Sequence, residues 1–185
     1  MPRTSDKRER LLRSADRLIL SQGFRQTTLA DIAEDSKVPL GNVYYYFKTK
    51  EDICKSVVET RIESMQALLE KCSEPDDPRA RLLQLLDYPL TVRTELTDNG
   101  CPLGTLSYEL SRSEGVLSQS SAQLIEVVLD WARQQFQAMD KPDADELALQ
   151  LISTLQGMSL VANATRDPGV VDKVISRTRS WLQSL

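Results

Sequence analysis

Apolar residues recur every three or four positions along almost the whole 185-residue chain, and no segment alternates apolar and polar residues as a half-buried strand would. Leu11, Ala15 and Leu18 belong to the first such group, and Gly23 follows it as a helix stop signal. Hydrophobic residues make up 41% of the chain and charged residues 27%, enough apolar side chains for a core. The pattern predicts an all-α protein with about nine helices.

Caps and prolines place the predicted helix boundaries. Thr28-x-x-Asp31 and Thr49-x-x-Asp52 resemble capping boxes, with Asp in the place of the usual Glu. They predict a helix from Thr28 to about Lys37, a short helix over 40–47 after the Val38-Pro39 turn, and a long helix over 50–72. Later elements are predicted as a helix that Pro89 interrupts, a short helix after Cys101-Pro102, long helices over 115–139 and 144–165, and a last helix ending at Trp181-Leu182.

Several classes of chemistry are disfavoured by composition. The chain has no histidine, which excludes Ser-His-Asp and Cys-His catalysis and any metal site that needs imidazole. Its three cysteines have no CxxC spacing, which argues against a disulfide framework or a zinc ribbon. We therefore expect no enzyme activity, no bound metal and no cofactor. No apolar run approaches the roughly 20 residues of a membrane span, and the N-terminus lacks a signal-peptide apolar core, so we expect a cytoplasmic protein without a membrane partner.

The net charge of −4 is unevenly distributed. Residues 1–61 carry 12 Lys/Arg and 9 Asp/Glu, a net charge of +3, whereas residues 62–185 carry 11 and 18, a net charge of −7. A basic N-terminal part on an acidic remainder is expected if only one end of the protein meets phosphate groups.

The run Val43-Tyr44-Tyr45-Tyr46-Phe47 holds four of the ten aromatic residues. A helix turns by about 100° per residue, so three consecutive tyrosines cannot share one buried stripe. Val43 and Phe47 are four residues apart and are expected to face the core, which directs Tyr45 outward with Tyr44 and Tyr46 on its flanks. Aromatic packing in a small core is the alternative interpretation of this run.

Two short helices joined by a tight turn predict a helix-turn-helix unit, whose second helix enters the major groove of DNA. Gly41 permits a close approach, Asn42 offers both a donor and an acceptor, and tyrosine rings pack on sugars or thymine methyl groups. Lys48 and Lys50 follow at the end of the helix, where they are placed to neutralise phosphates.

These residues carry a specific resemblance. Thr27–Ala33, Val38 and Gly41–Ile53 resemble the TetR family of transcriptional regulators, and the similarity covers about residues 8–55. The resemblance implies a homodimer whose recognition helices enter successive major grooves of a pseudo-palindromic operator. It also implies a DNA-binding domain at 1–48 and an effector-binding and dimerisation domain at 49–185. The expected function is a repressor that a small molecule, an oxidant or an electrophile releases from DNA.

The DNA-binding residues expected from the motif and the resemblance are Thr28, Lys37, Leu40, Gly41, Asn42, Tyr44, Tyr45, Tyr46, Lys48 and Lys50. One departure concerns the turn, where Ser36-Lys37-Val38-Pro39 replaces the family's common Ala-Gly-Val-Ser. Pro39 removes a hydroxyl cap. Lys37 occupies the position of the turn glycine, where positive φ is mildly strained for a side chain.

The sequence indicates fewer residues for effector binding and dimerisation than for DNA binding. Cys101 is either a small buried residue at a helix start or a thiol that senses oxidants or electrophiles, since a helix N-terminus makes a thiol more reactive. Candidates for an apolar effector pocket are Tyr88, Cys101, Leu106, Tyr108, Trp131 and Met158, and each is also a candidate for plain core. The helices at 115–139 and 144–165 are expected to form the dimer interface, with an internal bundle as the alternative. A helical enzyme and an effector-free adaptor remain the other functional classes.

Overall fold

The structure, a computed structural model, describes residues 3–113 and 116–185. Within those ranges every regular element is a helix, which confirms the predicted all-α class. The helices are α1 (Arg3–Gln22), α2 (Leu29–Ser36), α3 (Leu40–Tyr46), α4 (Lys50–Cys72), α5 (Pro78–Leu85), α6 (Asp87–Thr91), α7 (Arg93–Asn99), α8 (Pro102–Leu110), α9 (Val116–Ala138), α10 (Ala144–Thr165) and α11 (Gly169–Ser184). The predicted first residue of the helix over 115–139 lies outside the described residues.

The helical segments of the described residues number eleven because the region around Pro89 divides into three, α5, α6 and α7. Pro89 lies in the first turn of the five-residue α6, where the missing N–H is not needed for an intrahelical hydrogen bond. The C-cap of α7 is Gly100, which adopts a φ of 76°.

Both predicted capping boxes are present. The Thr28 hydroxyl accepts a hydrogen bond from the Asp31 N–H at 3.1 Å, and the Asp31 carboxylate accepts one from the Thr28 N–H at 2.8 Å. Thr49 and Asp52 repeat this exchange at 3.0 and 3.1 Å. Because each box satisfies N–H groups that a helix start leaves unpaired, the two boxes fix where α2 and α4 begin.

The chain forms two compact units. The first comprises Met1–Ile62 and Thr105–Leu124, and the second comprises Glu63–Gly104 and Ile125–Leu185. The domain boundary predicted after residue 48 separates a DNA-binding part from an effector-binding part and does not describe compact units. It stays a prediction.

In the first unit, buried apolar side chains come from all four N-terminal helices, including Leu11, Ile32, Val43 and Ile53. Arg61 is buried as well, and its Nε donates to an Asp16 carboxylate oxygen at 2.6 Å. A buried guanidinium needs such a partner, because an unpaired charge away from water is costly.

The second unit has one continuous core that includes Leu82, Phe136, Leu151 and Met158. Helix α10 lies in this core, and an 18-residue window within its 22 residues has a mean hydropathy of 1.2. By length and composition alone it is therefore the one described helix able to cross a membrane, whereas the sequence pattern predicted no apolar run of that length. Buried core helices of soluble proteins meet the same measure, and several of its side chains belong to this core.

Candidate DNA interface and effector site

Helix α3 has one buried side and one exposed side. Val43 and Phe47 are buried, whereas Tyr44 is 48% exposed and Tyr45 is 72% exposed. This arrangement agrees with the faces that the sequence predicted. Two consecutive aromatic side chains exposed on one short helix form an apolar patch, and such a patch favours an external partner.

The exposed aromatic surface is ordered by its own contacts. The rings of Tyr45 and Tyr46 meet edge to face, with centroids 5.0 Å apart and planes at 89°. Such a pair is favourable beyond its burial and limits the rotamers that either ring adopts. A partner that binds here therefore meets a surface whose side chains already have restricted freedom.

Gly41 occupies the start of the same helix and is exposed. A Cβ added there would have no neighbouring atom within 4 Å. The fold thus leaves room for a side chain, and packing within the protein gives no reason for glycine, which weakens a helix relative to alanine.

The turn before α3 shows both departures predicted from the sequence. Lys37 adopts a φ of 54°, in the left-handed region, and its N–H caps α2 by donating to the carbonyls of Ala33 and Glu34. Pro39 is the N-cap of α3 and provides no side-chain hydrogen bond. Arg10 donates to the carbonyls of Ser36 and Lys37, a support that the sequence analysis did not identify.

Thr28 lies exposed at the start of α2. The hydrogen bonds from the Thr28 side chain and then from its backbone lower the pKa of Asp31, which therefore stays ionised beside the helix N-terminus. Leu40 and Asn42 lie in the first turn of α3, exposed and half-buried respectively. All of these residues belong to the first compact unit.

The two predicted phosphate-binding lysines differ in their surroundings. Lys48 is exposed and donates to the Tyr44 carbonyl at 2.8 Å. Lys50 is half-buried, and its ammonium donates to the carbonyls of Phe24 and Arg25 at 3.0 and 3.1 Å. It also lies 4.5 Å from the centre of the Phe24 ring. These bonds compete with the phosphate contact predicted for Lys50.

Glu109 of α8 is a further residue of this unit that the sequence analysis did not identify. Its two carboxylate oxygens accept hydrogen bonds from the N–H groups of Phe24 and Arg25, both at 2.7 Å. No local motif marks it, because its partners lie more than 80 residues earlier in the chain.

In the second unit, Cys101 lies beside the start of α8. Its Sγ accepts hydrogen bonds from the Gln156 side-chain amide and from the Gly104 N–H, each at 3.5 Å. Burial, and after it the nearby Cys101, raise the pKa of the Tyr88 hydroxyl. Gln156 therefore contacts Cys101 directly, and it is the residue that sequence reasoning missed here.

The other predicted pocket residues are dispersed. Leu106 and Tyr108 belong to the first unit, where Leu106 is buried and Tyr108 is 62% exposed and stacks with Arg112. Trp131 donates to the Ser73 hydroxyl at 3.0 Å. Met158 is buried in the core of the second unit. A single pocket formed by all six residues stays a prediction.

The remaining cysteines are core residues. Burial raises the pKa of the Cys54 thiol to about 12, and burial also raises the pKa of Cys72. Neither forms the thiolate readily near neutral pH. Cys101 differs from both in position, because it is half-buried and lies beside the start of α8.

Two short helices in a helix-turn-helix arrangement, with an exposed aromatic second helix and cations beside it, define a DNA-binding protein of the helix-turn-helix class. The sequence profile described as "Bacterial regulatory proteins, tetR family" matches residues 11–57. The chain is therefore similar to the TetR family of transcriptional regulators, whose members are not enzymes.

Individual relatives agree along most of the chain. An HTH-type transcriptional regulator from the lacX 3′ region of Lactococcus lactis subsp. lactis is 25% identical over 171 residues, covering 89% of this chain and 87% of the relative. The HTH-type transcriptional repressor NemR of Escherichia coli is 27% identical over 114 residues, covering 62% of this chain and 57% of NemR.

Solved structures share the fold. A TetR transcriptional regulator from Legionella pneumophila has a TM-score of 0.84 at 20% identity, covering 100% of this chain and 97% of that one. The reduced form of Escherichia coli NemR has a TM-score of 0.83 at 21% identity, covering 95% and 96%.

Proposed function

We propose that this regulator is a ligand-responsive repressor that binds a pseudo-palindromic operator as a homodimer in the cytoplasm. The observation that carries the proposal is α3, which exposes Tyr44, Tyr45 and an unhindered Gly41 beside cationic side chains. No packing among the described residues explains these three features, whereas entry of α3 into a major groove explains all of them.

The proposed contacts divide into base readers and phosphate ligands. Gly41, Asn42, Tyr44 and Tyr45 approach bases and sugars, and Leu40 adds apolar contact at the start of α3. Thr28, Lys37, Tyr46 and Lys48 bind phosphates along the edges of the groove. The Lys50 ammonium has three N–H donors, and two of them already bond the carbonyls of Phe24 and Arg25. Only the remaining donor is available for a phosphate.

Dimerisation is proposed through α10. Leu149, Leu160 and Val161 are exposed there, and the small exposed residues Ser153 and Ala164 lie along the same side as Leu149 and Leu160. The large apolar side chains of α9 that the structure describes are buried or half-buried. This contrast supports the proposal that α10 lies in the dimer interface. A contribution of the helix over 115–139 to the same interface stays a prediction.

The proposed effector acts at Cys101. Its half-buried thiol accepts a hydrogen bond from the Gln156 side chain, whereas Cys54 and Cys72 are buried. The solved NemR structure is described as a reduced form, which makes an oxidant a reasonable first probe for this relative. In the proposed mechanism the effector binds more tightly to a conformer with wrongly spaced recognition helices, and thereby lowers operator affinity.

The direct test is selection of duplexes by the purified protein from a library of random sequences and of genomic fragments. We expect recovery of a sequence with two inverted half-sites whose centres lie about one or two helical turns apart. The affinity should fall steeply with salt, because phosphate neutralisation releases counterions. Recovery of no common sequence would overturn the proposal.

The proposed role of Cys101 is tested by treating the complex of the protein and the recovered duplex with hydrogen peroxide or with N-ethylmaleimide. Wild-type protein should release the duplex after either treatment, and Cys101→Ser should bind it normally and keep it. Cys72→Ala is the matched thiol control and should respond like the wild type. A Cys101→Ser variant that still releases the duplex would exclude Cys101 as the sensor and leave an adaptor or another ligand site as the explanation.

A further inference from the structure

The turn after α1 is held through both the N–H groups and the carbonyl groups of Phe24 and Arg25. The N–H groups of Phe24 and Arg25 donate to the two carboxylate oxygens of Glu109, both at 2.7 Å. The carbonyl groups of the same two residues accept from the Lys50 ammonium at 3.0 and 3.1 Å. Hydrogen bonds with an ionised partner are stronger than neutral ones, so four such bonds fix this dipeptide firmly.

Gly23 fits this arrangement. It adopts a φ of 86°, and a Cβ added there would lie 3.2 Å from Oε2 of Glu109. A side chain at this position would therefore be strained by the backbone conformation and would crowd the carboxylate. The turn and the carboxylate are matched to each other.

The cation of this arrangement is adjacent to the recognition helix. Lys50 is the first residue of α4 and follows Phe47, the buried C-cap of α3, by three residues. The position of Lys50 therefore constrains where α3 ends.

We propose that Glu109 is a positioning residue for operator binding. It holds the turn over 23–25, the turn holds Lys50, and Lys50 fixes the junction between α3 and α4, so that Tyr44 and Tyr45 meet the bases in register. This inference rests on the proposed DNA-binding function. It adds a residue outside the helix-turn-helix segment to the machinery of sequence recognition.

Because Glu109 is charged, electrostatics and the positioning role predict opposite changes in DNA affinity when it is replaced. Glu109→Gln removes one negative charge from the DNA-binding unit, and electrostatics alone predicts tighter binding to any duplex. The positioning role predicts the opposite for the selected duplex. We expect Glu109→Gln to weaken binding to that duplex by about tenfold, since bonds to a charged acceptor are lost. Binding to a scrambled duplex of the same length should be unchanged or slightly tighter.

Glu59→Gln is the matched control, because Glu59 is an exposed residue of α4 in the same unit and its substitution changes the charge equally. It should bind both duplexes like the wild type or slightly more tightly. If Glu109→Gln matches Glu59→Gln on both duplexes, the positioning role is refuted while the proposed function stands. If neither the wild type nor Glu59→Gln distinguishes the two duplexes, the proposed function itself fails.

A second measurement needs no variant and covers the case in which Glu109→Gln fails to fold. In the wild-type protein, the amide hydrogens of Phe24 and Arg25 should exchange with solvent as slowly as those of the α1 interior. Exchange at the rate of open loop amides would show that the carboxylate does not hold the turn, and would overturn the inference.

Discussion

The two compact units differ in where they keep the residues that bear on function. In the first unit, Tyr45 and Gly41 lie on the surface, and no packing contact in the described part of the chain accounts for their exposure. In the second unit, Cys101 is half-buried and Met158 is fully within the core. Adjacent aromatic residues that are exposed together on one short helix favour an external partner, whereas a buried residue serves packing whether or not it also serves a ligand.

The largest expected effect tests whether Met158 belongs to the packed core. Met158→Ala should lower the free energy of unfolding by about 2–5 kcal/mol, because truncation of a packed side chain leaves a cavity. Denaturant unfolding measures this change. Leu151→Ala, fully buried on the same helix, is the comparison and should lose a similar amount. A much smaller loss at Met158 would indicate a side chain that borders an open site, and the contrast between the two units would weaken.

The next effect concerns the exposed side of α10. Leu160 is 69% exposed, so Leu160→Asp should leave each subunit folded. It should raise the dimer dissociation constant by about a hundredfold or more, because two copies lose the burial of a leucine. Sedimentation velocity measures the dissociation.

The matched variant for this interface is Gln134→Asp, which adds the same charge at an exposed position of α9. We expect it to leave the dimer intact. Dissociation caused by both variants would favour the interface predicted from the sequence, in which the helices over 115–139 and 144–165 take part together. Intact dimers from both variants would remove α10 from the proposal.

A smaller effect is expected at the DNA interface. Tyr45→Ala should weaken binding to the selected duplex by about 1–3 kcal/mol per subunit, which is the scale of a good base contact. Stability should change little, because the side chain is largely exposed. Tyr108→Ala removes a comparably exposed tyrosine of the same unit and should leave DNA affinity unaltered. Equal effects of the two variants would contradict a specific role for α3.

The sequence predicted best those features that depend on neighbouring residues. The capping boxes at Thr28 and Thr49 and the inward direction of Val43 and Phe47 follow from spacings of three or four residues. The division of the region around Pro89 into three helices did not follow, because proline is accepted in a first turn and a periodic pattern does not show where a short helix restarts.

Features that depend on distant residues were not predictable. Glu109 meets its partners across more than 80 residues, and its sequence context resembles that of any exposed helical glutamate. Gln156 is similarly unmarked, although it contacts Cys101. Tyr108 has a large aromatic side chain, as a pocket residue would, yet it lies on the exposed side of α8. Hydrophobicity alone therefore identified candidates for the pocket without separating core, surface and site.

Gly41→Ala should have the smallest effect on the protein and the most selective one on its function. Alanine is the better helix former, and the added Cβ meets no neighbouring atom, so stability should stay equal or rise by up to about 1 kcal/mol. If α3 approaches the bases closely at this residue, the same methyl group occupies space that DNA requires, and the affinity for the selected duplex should fall. Thermal unfolding and a binding titration on one sample measure the two effects together. A variant that is at least as stable and binds as tightly as the wild type would show that Gly41 serves no close approach, and that the exposed tyrosines act without it.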